Sequence, residues 1–193
     1  MTQYHHGDLR AAILAAARRS LEAESDGDLS LRALAQAVGV SPNAPYRHFP
    51  TKESLLGALA ARGFGELTAR FAPYETAASP ARMEGCVGAY LHFARENPGL
   101  YRLMFGRRLD ALANETELGG PAQACFTALM AVVAQILARP MNDPCVRESA
   151  AITWSVCHGA ALLDIDQATQ FLTEAERPTA PKLTKVILSG LAG

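Results

Sequence analysis

The sequence has few of the features that mark secreted proteins or proteins with a general affinity for polyanions. Only 7% of its 193 residues are aromatic, and a formal net charge of −1 provides no overall excess of basic residues, so any nucleic-acid surface must be local. The four cysteines, at positions 86, 125, 145 and 157, form no Cys-x-x-Cys pair, which predicts reduced thiols in a cytoplasmic protein. The opening residues "MTQYHHGDLR" contain no apolar run, so no signal peptide is expected.

The sequence also lacks a recognisable catalytic constellation. It has no glycine-rich phosphate loop, no paired carboxylates and no Ser-His-Asp order, and its histidines and cysteines lie at no ligand-like spacing. We therefore expect no enzyme activity, no cofactor and no metal site. The uncharged run from Leu118 to Ala138 is interrupted by Gln123, Thr127 and Gln135, which favours a buried helix over a membrane span.

Helical periodicity is present almost everywhere, and no run of alternating β-branched residues indicates a strand. The sequence therefore predicts an all-α fold, with three short helices before residue 50 and about six longer ones after it. Asp8, Ser30, Ser41 and Thr51 are the expected caps of the first four helices. The later helices are predicted at about 51–71, 80–96, 98–106, 121–139, 144–168 and 180–191, with loops at 107–120 and 174–181.

Residues 31–50 meet the steric requirements of a helix-turn-helix motif. Ala35 is small where two helices would approach, and Gly39 follows four residues later, where the turn needs a left-handed conformation. Val38 and Val40 are expected to fill the core between the helices. Since a helix–Gly–helix pattern alone is common, these residues could also be an ordinary core with a solvated face.

The second helix of this motif is predicted over residues 41–49, with Pro42 in its first position. Pro45 and Phe49 would face inward, which leaves Asn43, Ala44, Tyr46 and Arg47 outward. Asn, Arg and Ala side chains can contact adenine, guanine and the thymine methyl group respectively, and Tyr46, His48 and Lys52 are suited to phosphate oxygens. Pro45 removes an intrahelical hydrogen bond and disfavours helical geometry at Ala44, so the helix should be irregular at its start.

These residues resemble the DNA-binding signature of TetR-family transcriptional regulators. The resemblance is strongest in "LSLRALAQAVGVSPNAPYRHFPTKESLL" and extends to "YHHGDLRAAIL", over about residues 4–60. "YLHFARENPGLYRLMF" and "TWSVCHGAALL" resemble the branch of the family named for its Trp-His-Gly residues, here Trp154, His158 and Gly159. The resemblance implies that Ser30, Arg32, Ser41, Tyr46, His48 and Lys52 contact the DNA backbone. Base contacts vary within the family, and Asn43, Ala44 and Arg47 are the candidates here.

The resemblance further implies a C-terminal helical domain that dimerises and binds a small molecule. Residues 149–163 carry no formal charge apart from His158, so this helix needs burial on both faces, and a subunit interface would supply one of them. Val186, Ile187 and Gly190 lie on one face of the last helix. The resemblance implies that the last two helices build the homodimer interface, which this pattern suits, and packing within one chain is the alternative.

A ligand pocket is predicted around Trp154 and His158, which share a helical face at i, i+4 spacing. Aromatic and methionine side chains suit an adaptable apolar pocket. The remaining candidate residues are Phe93, Tyr101, Met104, Phe105 and Met130, and ordinary core packing is the alternative for each of them.

The sequence therefore predicts a homodimeric repressor of transcription that binds a palindromic DNA operator and is released by a small-molecule effector. A helix-turn-helix domain would comprise residues 1–52, and a ligand-binding and dimerisation domain residues 53–193. Two other hypotheses stay open at this point: a DNA-binding regulator without an effector, and a helical enzyme or carrier that uses Trp154 and His158.

Overall fold

The computed structural model describes residues 9–23, 29–106 and 118–191. Every regular element within these ranges is helical, which confirms the all-α class. The α-helices described are α1 (Leu9–Ala23), α2 (Leu31–Ala37), α3 (Lys52–Ala69), α4 (Ser79–Glu96), α5 (Pro98–Phe105), α6 (Gly119–Leu137), α7 (Pro144–Ile165) and α8 (Ala180–Leu191). Short 3₁₀ turns occur at Pro45–Arg47 and Ala72–Tyr74.

The chain divides into two compact units, which do not follow the domain boundary predicted after residue 52. Unit 1 comprises the described parts of Met1–Phe64 and Asn97–Pro121, and unit 2 those of Gly65–Glu96 and Ala122–Gly193. Helix α5 therefore belongs to the same unit as the helix-turn-helix segment, although the sequence assigns it to the second domain. The boundary at residue 52 stays a prediction.

Unit 1 is held together by α1, which contacts α2, α5 and the 3₁₀ turn at Pro45–Arg47. Its apolar stripe is buried through Ile13, Leu14 and Ala17, as expected for an amphipathic helix. Helix α5 lies so close to α3 that a Cβ atom on Gly63 would stand 2.6 Å from the Met104 sulfur. This tight packing makes α5 part of the core of the unit.

Unit 2 is built around α4, which packs against both α7 and α8. Helix α4 has a continuous buried face that includes Met83, Val87, Tyr90 and Phe93. The Asp143 carboxylate caps α7, because its Oδ1 accepts a hydrogen bond of 2.9 Å from the main-chain N–H of Cys145. Side chains of α4, α7 and α8 thus form a common core in unit 2.

Helix α6 is less buried than the sequence predicts. Its buried residues are Cys125, Val132, Val133 and Ala134, whereas Gln123, Thr127 and Gln135 are exposed to solvent. The prediction of a helix enclosed on all sides is therefore wrong for a single subunit, because these polar residues mark a solvated face. By length and composition alone, α6 is the one helix in the described ranges that could cross a membrane.

Helix boundaries after residue 50 agree closely with those predicted from periodicity. The largest difference is at α7, which ends at Ile165 rather than near residue 168, and no other helix end differs by more than about two residues. Helix α6 starts at Gly119, so the loop predicted at 107–120 ends two residues earlier than expected. Residues 107–117 of that loop, and the predicted Asp8 cap of α1, lie outside the described residues.

Candidate nucleic-acid interface

The turn after α2 has the hydrogen-bonding pattern of a Schellman motif. The Val40 N–H donates to the Ala35 carbonyl (3.0 Å) and the Gly39 N–H to the Gln36 carbonyl (3.1 Å), which satisfies carbonyl groups at the end of the helix. Gly39 has a φ of +73°, which confirms the predicted left-handed turn. Val38 and Val40 are half-buried, so they fill the core less completely than predicted, whereas Leu31, Leu34 and Ala35 are buried.

The segment after this turn is a 3₁₀ turn over Pro45–Arg47 rather than the short α-helix predicted at 41–49. Its hydrogen bonds run from the Ala44 N–H to the Ser41 carbonyl and from the His48 N–H to the Pro45 carbonyl, each 3.0 Å long. Pro45 has no N–H group to donate to the Ser41 carbonyl, so a full set of α-helical bonds cannot form. Ala44 itself has helical angles (φ −61°, ψ −40°), contrary to the expectation for a residue that precedes proline.

The two faces of this segment are arranged as the sequence predicts. Pro45 is buried and Phe49 is 2% exposed, which confirms that both face inward. Asn43, Tyr46 and Arg47 are exposed. Ala44 and His48 are half-buried, so they are less accessible than their exposed neighbours. The exposed polar side chains therefore project from a turn that the buried side chains of Pro45 and Phe49 anchor.

A reciprocal cap begins α3 immediately beyond this turn. The Ser54 N–H donates to the Thr51 hydroxyl oxygen (3.0 Å), and the Thr51 N–H donates to the Ser54 hydroxyl oxygen (3.2 Å). This arrangement confirms the predicted Thr51 cap and resembles a capping box. It places Lys52 in the first turn of α3, where the main-chain N–H groups and the helix dipole favour an anion such as phosphate.

The remaining backbone-contact candidates lie on or beside α2. Ser30, Arg32 and Ser41 are all exposed. Ser30 has the extended backbone of an N-cap residue, but its side chain makes no capping hydrogen bond. Ser30 is therefore the N-cap residue, as predicted, but it caps α2 through its main chain alone, with the Leu34 N–H donating to the Ser30 carbonyl at 3.0 Å.

Arg10 is not among the functional residues predicted from the sequence. The Arg10 guanidinium carbon lies 5.4 Å from the centroid of the Phe49 ring, within the range of a cation–π contact. The contact joins the start of α1 to a residue that anchors the segment 41–49, which we call the recognition turn. Arg10 and Phe49 are about 40 residues apart in the chain, which is too far for a helical pattern to indicate their contact.

The seven residues predicted to bind a ligand are divided between the two units. Tyr101, Met104 and Phe105 belong to unit 1, where Tyr101 and Met104 are fully buried and the Phe105 ring meets the Phe64 ring edge-on at 5.2 Å. Unit 2 contains the other four, namely Phe93, Met130, Trp154 and His158.

A hydrogen-bonded cluster in unit 2 surrounds two of these four residues. The Trp154 indole N–H donates to the Tyr90 hydroxyl oxygen (3.2 Å), and the same oxygen lies 3.5 Å from His158 Nδ1. The Trp154 and His158 rings are 5.8 Å apart. Burial lowers the pKa of His158, which favours the neutral imidazole. Tyr90 connects the cluster, because α4 places it opposite α7. It is not among the residues predicted from the sequence.

One face of α7 and α8 is uncovered in the single subunit. Ile152 is 60% exposed and Val186 is 64% exposed. A Cβ atom added at Gly159 or Gly190 would meet no other atom within 4 Å, so the backbone is open to approach at both positions. Large exposed apolar side chains beside small residues are typical of a subunit interface.

The described residues contain no group of three or more His, Cys, Asp or Glu side chains arranged to hold a metal ion.

The cysteine thiols whose pKa is raised most are buried. Burial raises the pKa of Cys86 to about 11 and that of Cys157 to about 12, so both remain protonated at neutral pH and are poor nucleophiles.

Comparison with known proteins places both parts of the chain. Residues 13–59 match the family described as bacterial regulatory proteins of the tetR family. Residues 83–181, just over half of the chain, match the tetracyclin repressor-like C-terminal domain. The first match includes the Schellman turn and the recognition turn, and the second includes the Tyr90 cluster.

Curated relatives and solved structures agree with these matches. The nucleoid occlusion factor SlmA of Marinomonas sp. is 39% identical over 112 residues, which cover 57% of this chain and 55% of that protein. The corresponding protein of Idiomarina loihiensis is 32% identical over 131 residues, covering 66% of this chain and 65% of that protein. The alignment with the Marinomonas protein thus spans about half of that protein's length.

The solved structures match nearly the whole chain. A Rhodococcus sp. RHA1 protein of unknown function superposes with a TM-score of 0.75 at 28% identity, covering 99% of this chain and 97% of that one. A tetR-family transcriptional regulator from Streptomyces coelicolor has a TM-score of 0.70 at 20% identity, covering 97% and 82%, and supports the fold alone. With both parts of the chain matched, the protein belongs to the TetR family of bacterial regulatory proteins.

Proposed function

We propose that this protein is a sequence-specific DNA-binding regulator of transcription that acts as a homodimer and represses its target genes. The observation that carries the proposal is the recognition turn, in which buried Pro45 and Phe49 hold Asn43, Tyr46 and Arg47 toward solvent. Because the chain belongs to this family, we expect the protein to lie in the cytoplasm or to associate with the nucleoid.

The two kinds of DNA contact have separate origins in the chain. Asn43 and Arg47 carry the groups that bind base edges, with the half-buried Ala44 as an apolar neighbour. Ser30, Arg32, Ser41, Tyr46, His48 and Lys52 form the set proposed to contact the DNA backbone. Since backbone contacts release counterions from DNA, affinity is expected to fall steeply with salt concentration.

The uncovered face of α7 and α8 supports the proposed homodimer. A homodimer joined there would contain two recognition turns, one from each copy. Such a dimer binds half-sites about one helical turn, or 34–36 Å, apart, which is why the operator is expected to be palindromic.

An effector is proposed to bind among the helices of the C-terminal region. The supporting observation is the Trp154–Tyr90–His158 cluster, in which an exposed indole and an imidazole combine apolar surface with hydrogen-bonding groups. These residues also support assignment to the Trp-His-Gly branch of the family. An effector releases DNA only if it binds the non-operator state more tightly than the operator-bound one.

Selection of genomic fragments with the purified protein tests the DNA-binding proposal. Retained fragments are expected to share a palindromic motif and to lie upstream of genes, and light scattering is expected to give the mass of a dimer. Fragments without a common motif, or a monomer at working concentration, would contradict the proposal.

A role in nucleoid occlusion is the second candidate, because the curated relatives carry that name. Mapping of bound sites in living cells separates the two. Binding restricted to a few promoters supports a transcriptional regulator, whereas many sites spread along the chromosome, together with altered placement of division septa in a deletion strain, support the alternative.

A further inference from the structure

A groove of about 610 Å³ lies in unit 2, between the first turns of α4 and one face of α8. Positions 181, 184, 185 and 188 of α8 have the i, i+3, i+4, i+7 spacing of a single helical face. None of the lining residues belongs to the proposed DNA contacts or to the Tyr90 cluster, so the groove is separate from both. Its lining includes Pro80 and Glu84 of α4 and Pro181, Thr184, Lys185 and Leu188 of α8.

The groove has one charge of each sign, carried by different helices. Glu84 belongs to α4 and Lys185 to α8, and both side chains are exposed to solvent. Neither of them forms an ion pair or a hydrogen bond with another residue in the part of the chain that the structure describes. A carboxylate binds an ammonium group, and an ammonium group a carboxylate, through charge-assisted hydrogen bonds. The groove therefore has a separate group for each charge of a zwitterion.

Thr184 adds a buried polar group to the lining of the groove. The residue is only 4% exposed, yet its hydroxyl oxygen has no hydrogen-bond partner among the described residues. A buried hydroxyl without a partner lowers the stability of the folded protein, so such groups are rare in proteins. Because Thr184 lines the groove, a polar ligand bound there would supply the partner once the hydroxyl rotates toward it.

Apolar surface accompanies these polar groups. Pro80, Pro181 and Leu188 contribute ring and isobutyl surfaces to the lining. A volume near 610 Å³ falls within the range of small-molecule sites and exceeds what a single inorganic ion needs. Such an ion would pair with only one of the two charges and would leave the apolar surface in water. The lining thus favours an organic molecule that has both charges and an apolar body.

We propose that this groove binds a small zwitterion with an apolar body, namely an aliphatic amino acid or a short peptide of such residues. The ammonium group of the ligand pairs with Glu84 and its carboxylate with Lys185. The Thr184 hydroxyl donates a hydrogen bond to the same carboxylate, and the apolar body covers the two prolines and Leu188. This is a second small-molecule site, distinct from the effector site proposed at the Tyr90 cluster.

Calorimetric titration of the full-length protein with leucine derivatives at neutral pH tests the site. Leucine and leucyl-leucine carry both charges, N-acetyl-leucine carries only the carboxylate, and leucine methyl ester carries only the ammonium group. At least one of the two zwitterions is expected to bind about tenfold or more tightly than either singly charged analogue. Tighter binding of leucine identifies a free amino acid as the ligand, and tighter binding of leucyl-leucine a peptide. No binding by either zwitterion at millimolar concentration, or equal affinity for a singly charged analogue, would overturn the proposal.

Two charge substitutions assign the ends of the ligand. Glu84→Gln is expected to weaken binding of the zwitterion about tenfold or more, so that it binds no better than N-acetyl-leucine. Lys185→Gln is expected to weaken it to a similar extent, so that it binds no better than the methyl ester. Glu148→Gln on α7 and Arg19→Gln on α1 are the charge-matched controls, since both residues are exposed and neither lines the groove.

Thr184→Val retains the shape of the side chain and removes the hydroxyl. It is expected to leave the free protein at least as stable as the wild type, because the unsatisfied group is gone, and to weaken zwitterion binding about three- to tenfold. Thermal unfolding without ligand measures the first effect and identifies any variant that fails to fold. Wild-type affinity in every folded variant would show that the zwitterion binds elsewhere and would overturn the proposed site. Because these measurements contain no DNA, they are independent of whether the protein recognises an operator.

Discussion

The Glu22 carboxylate accepts a hydrogen bond of 2.8 Å from the main-chain N–H of Gly99. Its other oxygen accepts one of 3.1 Å from the Leu100 N–H, so the end of α1 caps the first turn of α5. Arg18 reinforces this junction, because its guanidinium donates to the Asn97 side-chain oxygen at 2.6 Å. These contacts explain why α5 belongs to the same unit as the DNA-binding segment.

Substitution at this junction is expected to destabilise the protein. Glu22→Ala leaves N–H groups of α5 uncapped, which lowers the free energy of unfolding by about 1–2 kcal/mol. Gly99→Ala is expected to cost more, because the new Cβ would lie 2.1 Å from the Leu21 carbonyl oxygen, and a main-chain atom cannot move aside without distorting α1. Urea unfolding measures both changes.

Gly65→Ala is the matched control for the glycine substitution. A Cβ atom there meets no other atom within 4 Å, and alanine in a helix interior is more stable than glycine by about 0.5–1 kcal/mol. We therefore expect Gly65→Ala to stabilise the protein slightly. A Gly99→Ala variant as stable as Gly65→Ala would refute the close approach of α5 to the end of α1.

Variants of the recognition turn should separate affinity from specificity. Tyr46→Ala and Lys52→Ala are expected to weaken binding to all DNA sequences, because each removes a backbone contact. Lys52→Ala is also expected to reduce the salt dependence, because it removes a positive charge. Asn43→Ala is expected to relax the preference at one base pair, at a cost of about 1–3 kcal/mol on the preferred sequence. Fluorescence anisotropy with operator and scrambled duplexes measures each effect.

Arg19→Ala serves as the control for these DNA-binding variants, since it removes a positive charge from an exposed position on α1 outside the proposed DNA contacts. Its affinity should stay within about twofold of the wild type, because single distant charges are largely screened at physiological salt. If Asn43→Ala lowered affinity equally for every duplex, Asn43 would be a backbone contact rather than a base contact.

A charge on the uncovered face of α7 and α8 is expected to separate the proposed homodimer. Val186→Glu would bury an unpaired carboxylate between subunits, and a cost of several kcal/mol corresponds to a dissociation constant raised about 100-fold or more. Sedimentation velocity measures the change. Ala124→Glu, at an exposed position of α6, should leave the dimer intact, and dissociation by both variants would argue against an interface centred on Val186.

Stability is expected to decrease as the pH falls below about 6.5. Burial lowers the pKa of His158 below its ordinary value of 6.5, so the unfolded chain takes up a proton at a pH where the folded protein does not. The free energy of unfolding therefore has its full value above pH 6.5 and is lost as the pH falls toward the folded-state pKa of His158. Urea unfolding between pH 5 and 8 measures this slope.

His158→Gln is expected to reduce that slope, whereas Tyr90→Phe should retain most of it, because burial rather than the tyrosine hydroxyl causes the shift. Equal slopes for the wild type and His158→Gln would exclude His158 as its source.

Periodicity alone predicted the helices of this protein well where each helix has one clear apolar face. The Thr51 cap and the left-handed Gly39 were equally accessible, because they depend on residues within a few positions of one another. The recognition segment was predicted as an α-helix because its length and inward-facing residues suit one. Two prolines and tertiary packing around Phe49 instead favour a 3₁₀ turn.

The features that the sequence did not reveal depend on contacts between distant parts of the chain. Glu22 and Gly99 are 77 residues apart, and Tyr90 and Trp154 are 64 residues apart. Neither pair has a spacing that helical geometry would bring together. The surface position of α6 was missed for a different reason: alanine-rich helices have weak amphipathic patterns, so their exposed face is hard to distinguish from their buried one.

The proline-anchored turn has a consequence for how the protein diversifies. Its shape is set by Pro45, Phe49 and the cap at Thr51, and it owes little to the outward side chains at 43, 46 and 47. Those three positions can therefore be exchanged with little effect on folding. Under the proposed base contacts at Asn43 and Arg47, variants of such a gene can change their target sequence without losing the fold, and the same freedom makes this turn a suitable scaffold for libraries of altered DNA preference.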